Sequence, residues 1–181
     1  MPNQAQQLFD AHAWARASLR EAPTLQSSTL DVVAGFTFLW NLFEGVACHG
    51  HVSVPRLCQV AERIAVSPLI AHGTVEHSLS FYRFRYVDGE QMQDRFYGLN
   101  FRQNDKQELV ESVLKGTETN LVSKLHALLI IAYRIRNNMF HGLKSVHIWD
   151  AQAQNISEAT RILSAALEAL DTHIVERARA T

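Results

Sequence analysis

Arg136, Asn137, Asn138 and His141 crowd into the string YRIRNNMFHG, which runs from Tyr133 to Gly142. Arg136 keeps its charge at any physiological pH and offers a planar fork that matches phosphate oxygens. His141 carries a side chain that titrates near neutrality, so it can take up or release a proton in a reaction. Asn137 can orient either a phosphate or the imidazole by hydrogen bonding. Together these residue types suit proton transfer beside a bound anion. A plainer reading stands next to it. Arg and His also favour the negative end of a helix dipole, Gly142 is an ordinary helix stop, and the two amides could simply be solvated.

The surrounding charge supports the anion. Residues 119 to 149 contain no Asp or Glu, yet they hold Lys124, Arg134, Arg136 and Lys144, with His126, His141 and His147. A near-neutral chain has cleared its carboxylates from this stretch, which suits a ligand such as phosphate. Arg134 and Lys144 are candidate RNA-binding cations on this stretch.

A long apolar helix must position the cluster. Its start is expected at Thr119 or Asn120. At 3.6 residues per turn, Leu121, Leu125, Leu128, Ala132, Ile135 and Met139 form one stripe. Val122, Leu129, Tyr133 and Phe140 form a second stripe beside it. A surface helix needs only one such stripe, so this helix is either central or meets a second subunit. Arg136 borders both stripes, and Asn137 and His141 stack on the adjoining face, off the core stripe.

The rest of the chain reads as further helices. Leu8, Phe9, His12, Ala15 and Leu19 form a stripe closed by Pro23. A helix from about Thr29 carries Leu30, Val33, Phe36, Trp40, Phe43 and Ala47 and stops at Gly50. Ser53 and Pro55 open another, and Ser67 with Pro68 repeats that signal. Asp105 and Glu108 form a capping box before Leu109 and Val110, with Gly116 ending that helix. Asn155 and Glu158 are expected to cap the last helix, which carries Ile156, Ile162, Leu163 and Ile174. Between them, FYRFRYVDGEQMQDRFYGLNF alternates aromatic with polar residues around Asp88-Gly89, so a hairpin excursion over about 80–102 is expected. Its Arg83 and Arg85, set among Tyr82, Phe84 and Tyr86, are candidate RNA contacts. An ordinary hairpin packed on the helices is the alternative. The expected architecture is one all-α domain over 1–181, an antiparallel bundle with a small β-hairpin insertion.

Composition agrees with a globular chain. The 181 residues are 47% apolar and 19% charged, with 17 basic and 18 acidic residues and a formal net charge of −1. No global basic field argues for nucleic acid, so that case rests on local charge. Cys48 and Cys58 make no disulfide framework and read as reduced thiols. With His49 and His51 they match no trusted zinc spacing, and neither HExxH nor paired CxxC occurs. No glycine-rich phosphate loop or Gly-x-Ser-x-Gly elbow is present. The N-terminus lacks a cationic start followed by an apolar run, and the run from Leu125 to Tyr133 is short for a membrane helix. A cytoplasmic protein without membrane association is expected.

The string RNNMFHG at the end of a long apolar helix resembles the Arg-Asn-x-x-x-His signature of the HEPN superfamily, many of whose members are metal-independent ribonucleases in toxin–antitoxin and defence systems. The match spans about Ile131 to Lys144. FLWNLFEG, Phe38 to Gly45, more loosely resembles the earlier helix of such domains. The resemblance implies Arg136, Asn137 and His141 as catalytic residues, with Asn41, Glu44, Asn138 and Tyr133 supporting them. It implies RNA as substrate, attacked by its own 2′-OH, with no metal and no cofactor. It further implies a homodimer with the active site at the interface, and an antitoxin as a possible partner. A HEPN module that binds RNA, nucleotide or protein without catalysis is the alternative.

Overall fold

A computed structural model describes residues 10–18, 26–140 and 148–170. His141, Lys144 and His147 lie outside them, as do the N-terminal residues Leu8 and Phe9 and the C-terminal residue Ile174. Among the described residues the chain is all-α, with eight helices and one two-stranded sheet. The helices are α1 (Ala11–Ser18), α2 (Ser27–Cys48), α3 (Val54–Ala65), α4 (His72–Tyr86), α5 (Asp94–Tyr97), α6 (Gln107–Lys115), α7 (Leu121–Phe140) and α8 (Trp149–Leu170). Strands β1 (Val87–Asp88) and β2 (Gln91–Met92) lie between α4 and α5.

Helix α7 is the centre. Ala127 through Ala132 are all 0% exposed, and six consecutive residues cover every side of a helix. Helices α3, α4, α6 and α8 pack around it, and α2 lies against α8. The two-stripe pattern therefore marks a central helix. Leu129 of the second stripe is spent inside the chain, whereas Val122 and Tyr133 are half-buried and Phe140 is exposed.

Local signals explain several boundaries. Asn120 Oδ1 accepts from the Val122 amide at 2.8 Å and starts α7. Ser53 accepts from the Arg56 amide at 3.4 Å, with Pro55 in the first turn of α3. Past α2 the chain turns through His49 at φ 55° and Gly50 at φ 80°, and past α6 through Gly116 at φ 80°. At Ser67-Pro68 the signal makes a turn, and α4 begins four residues later.

Four expectations need correction. The hairpin is confined to two pairs, Val87 with Met92 and Asp88 with Gln91, closed at Gly89. Residues 81–86 are helical, because Val75, Leu79, Tyr82 and Tyr86 also recur at three- and four-residue intervals and take the core side. Phe84 is 88% exposed on the opposite side. Arg83 and Arg85 thus sit on α4, and neither is a hairpin side chain. Asp105 caps nothing in α6, whose N-cap is Lys106 in the left-handed region. Asn155 and Glu158 are buried within α8, which begins six residues earlier at Trp149. There Tyr86 Oη donates to Asn155 Oδ1 at 3.1 Å, and Ser78 Oγ to Glu158 Oε2 at 3.0 Å.

Helix α2 is long and apolar enough, by length and composition alone, to cross a membrane. It also contributes Phe36, Trp40 and Phe43 to the core.

Candidate functional site

The last two turns of α7 point polar side chains to different sides. Asn137, 5% exposed, lines a cleft of about 240 Å³ together with Trp40, Glu44, His51, Val52, Arg102, Tyr133 and Arg136. Helix α2 supplies Trp40 and Glu44, the α2–α3 turn supplies His51 and Val52, and the segment before α6 supplies Arg102.

Arg136 is held in this cleft from several sides. Its Nη2 lies 4.0 Å from Glu44 Oε2, and Nη1 donates to Asn137 Oδ1 at 3.3 Å. The guanidinium sits 5.8 Å from the Trp40 ring centre and 5.1 Å from that of Phe140, within reach of cation–π attraction. Trp40 in turn stacks on Tyr133 at 6.2 Å and donates from Nε1 to Glu44 Oε2 at 2.9 Å. Arg136 Nε is shielded from solvent and has no hydrogen-bond partner among the described residues. Trp40 and Glu44 thus preset the guanidinium without satisfying every donor.

Two arginines face one carboxylate in the cleft, which leaves a net positive charge. His51, in the α2–α3 turn, adds a proton-transfer group. A phosphate could bind between Arg102 and Arg136 with an imidazole in the same cleft. The sequence offers His51 only as a zinc candidate and carries no signal at Arg102. Eighty-five residues separate His51 from Arg136, and no local pattern announces that they share a cleft.

Other expected site residues are used differently. Arg134, 3% exposed, is buried on the side of α7 away from the cleft. Its Nε donates to the Leu99 carbonyl at 3.0 Å and Nη2 to the Asn100 carbonyl. Nη1 lies 3.1 Å from Asp105 Oδ2 in a buried ion pair. Burial lowers the Arg134 pKa, and Asp105 opposes that shift. Arg134 is therefore an internal strut, with no donor turned to solvent for RNA. Asn138 is also buried, donating to the Gly98 and Leu99 carbonyls at 3.0 and 3.2 Å. Arg83 Nη2 donates to the Val113 carbonyl on α6, and Arg85 Nη2 to Gln152 Oε1 on α8, each at 3.2 Å. Asn41 is exposed and does not line the cleft, whereas Glu44, one turn later, does. Asn137 lies deeper than its place off the core stripe implied.

The thiol of Cys48 is pushed up to about 11 by burial, with Glu44 adding to the shift, so it stays protonated and unreactive at neutral pH. Among the described residues no three His, Cys, Asp or Glu side chains gather where a metal ion could be held.

The fold and cleft define an all-α protein with a cationic polar cleft at the end of its central helix. No protein-family model, curated protein or solved structure matches the chain.

Proposed function

We propose that this protein is a HEPN-type endoribonuclease, acting in the cytoplasm as a toxin or phage-defence effector. The supporting observation is the single cleft that holds Arg136 and Asn137 of the motif together with Glu44, Arg102 and His51. In this reading the RNA 2′-oxygen attacks the adjacent phosphorus and the bond to the 5′-oxygen breaks. One histidine accepts the 2′-OH proton and another donates to the departing 5′-oxygen. His141 and His51 fill these two roles, and Arg136 and Arg102 carry the phosphate charge. The products are a 2′,3′-cyclic phosphate and a 5′-hydroxyl, and no cofactor takes part. Homodimerisation across the cleft and an antitoxin partner belong to the same reading and rest on the resemblance alone.

A second reading has its own observation. Arg136 is already engaged by Glu44, Trp40 and Phe140, as a residue in a non-catalytic binding module could be. One assay separates the two. Purified wild type and His141→Ala are incubated with total RNA, with and without chelator. Cleavage by wild type alone, unaffected by EDTA and ending in cyclic phosphate, is the expected result. Equal cleavage by both proteins overturns the assignment of His141, and inert wild type overturns the ribonuclease reading in favour of the binding module.

A further inference from the structure

A second cleft lies on the other side of the α7 terminus, and it differs in chemistry from the first. It encloses about 210 Å³, below the roughly 300 Å³ at which drug-sized sites begin. Leu99, Ile135, Met139 and Ile156 give it an apolar floor, and Tyr86 and Trp149 add aromatic surface. Arg85 and Arg95 line it too, with no carboxylate among the described lining residues. Among the described residues neither arginine has an ion-pair partner. Arg85 Nε is shielded from solvent and makes no hydrogen bond among the described residues.

Arg85 reaches the cavity over the Tyr86 ring, with its guanidinium 5.9 Å from the ring centre, and Arg95 stands at the exposed rim, so two cations border an apolar, aromatic-walled cavity. Their arrangement suits a ligand that brings the missing charge on an apolar body. The amides are already ordered for it. Asn155 accepts from Tyr86 Oη at 3.1 Å and donates to Gln152 Oε1 at 3.1 Å, and that same oxygen accepts from Arg85 at 3.2 Å. This chain holds the Arg85 fork from one end and leaves Nε over. Arg95, on the exposed side of α5, stands where a charged head could emerge.

We propose that this cleft binds a small flat organic anion: one aromatic ring carrying a carboxylate or phosphate head, the ring on the apolar floor and the head between Arg85 and Arg95. The site is separate from the motif cleft and does not depend on the ribonuclease reading. Consecutive residues divide the two, because Asn137 lines one cleft and Asn138 the other.

Isothermal calorimetry with the full chain tests it, using indole-3-carboxylate with indole and formate as its separated halves, and phenyl phosphate with phenol and inorganic phosphate as its halves. At least one probe should bind more tightly than both of its halves, and which one binds tells a carboxylate from a phosphate head. Arg95→Gln should weaken that probe at least about tenfold, as loss of a charge-assisted bond does. Arg85→Gln should do the same, and the exposed Arg95 keeps the test valid should Arg85→Gln perturb folding. Arg136→Gln, in the other cleft, should leave the affinity unchanged. The proposal fails if neither probe binds more tightly than about 1 mM, if Arg95→Gln binds as wild type does, or if Arg136→Gln alone removes binding.

Discussion

Arg134 Nη1 lies 3.1 Å from Asp105 Oδ2, and both side chains are almost wholly buried, at 4% and 8% exposed. The pair ties the centre of the bundle to the segment that leads into α6. Asp105 also accepts from the Arg102 amide at 2.8 Å, so one carboxylate holds the backbone of a cleft residue and neutralises the strut behind it.

Removing half of this pair leaves a buried charge without its partner. Asp105→Ala should cost about 3–5 kcal/mol of stability, seen as a lower denaturant midpoint. A loss under about 1 kcal/mol would show that water or a neighbour replaces the carboxylate.

Asn138 separates structure from chemistry in the motif. Asn138→Leu removes the amide donor from the Gly98 and Leu99 carbonyls, which keep Asn100 Nδ2 and Arg134 Nε as their remaining donors, so the cost should be about 1 kcal/mol, that of a lost hydrogen bond. RNA affinity at a temperature where the variant remains folded should be unchanged. Weakened RNA binding with unchanged stability would return Asn138 to the functional set.

Much of this was legible in the chain and some could not be. The stripes of α2, α3 and α7 stand out at helical spacing, and Ser53-Pro55 and Asn120 mark starts by local hydrogen bonding. Residues 81–86 satisfy both a two-residue and a four-residue period, and only packing against α8 decides between them. Arg134 and Arg136 are two residues apart, so a helix turns them to different sides. Which side is interior depends on Asp105, which is remote in sequence. His51 and Arg102 reach the motif cleft only through the packing of α2 and the loop before α6, so the string that exposes Arg136 and Asn137 is silent about them.

His126 offers a pH test of the core. Burial lowers its pKa from 6.5, against an opposing bond between Nε2 and the Cys58 carbonyl at 3.2 Å. The folded state therefore disfavours the proton that the unfolded chain accepts. Stability is unaffected well above 6.5 and declines as pH falls through 6.5 towards the lower folded value. His126→Gln should flatten that part of the stability profile between about pH 7 and 5. Identical slopes for wild type and variant would remove His126 as a source of acid sensitivity.

The proposed reaction places two histidines and two arginines around one phosphate, and pH can tell the histidines apart. One must be neutral to accept the 2′-OH proton while the other is charged to donate, so the wild-type rate should follow a bell. His51→Gln should lower the rate and remove one limb of that bell, and His141→Gln should remove the other. Arg136→Ala should cost roughly a hundred- to a thousand-fold in rate, as loss of one charge partner of a transition state does. It should leave the fold intact, because Arg136 is about a third exposed and pairs with an equally accessible Glu44. Arg102→Ala should be milder in rate, since its side chain is exposed and water can screen the charge it leaves. Single-turnover rates on a defined RNA across pH, with thermal melts for each variant, provide the measurement. A bell unchanged in His51→Gln would remove His51 from proton transfer and leave the ribonuclease reading in place. Full activity in Arg136→Ala would move the reaction out of this cleft altogether.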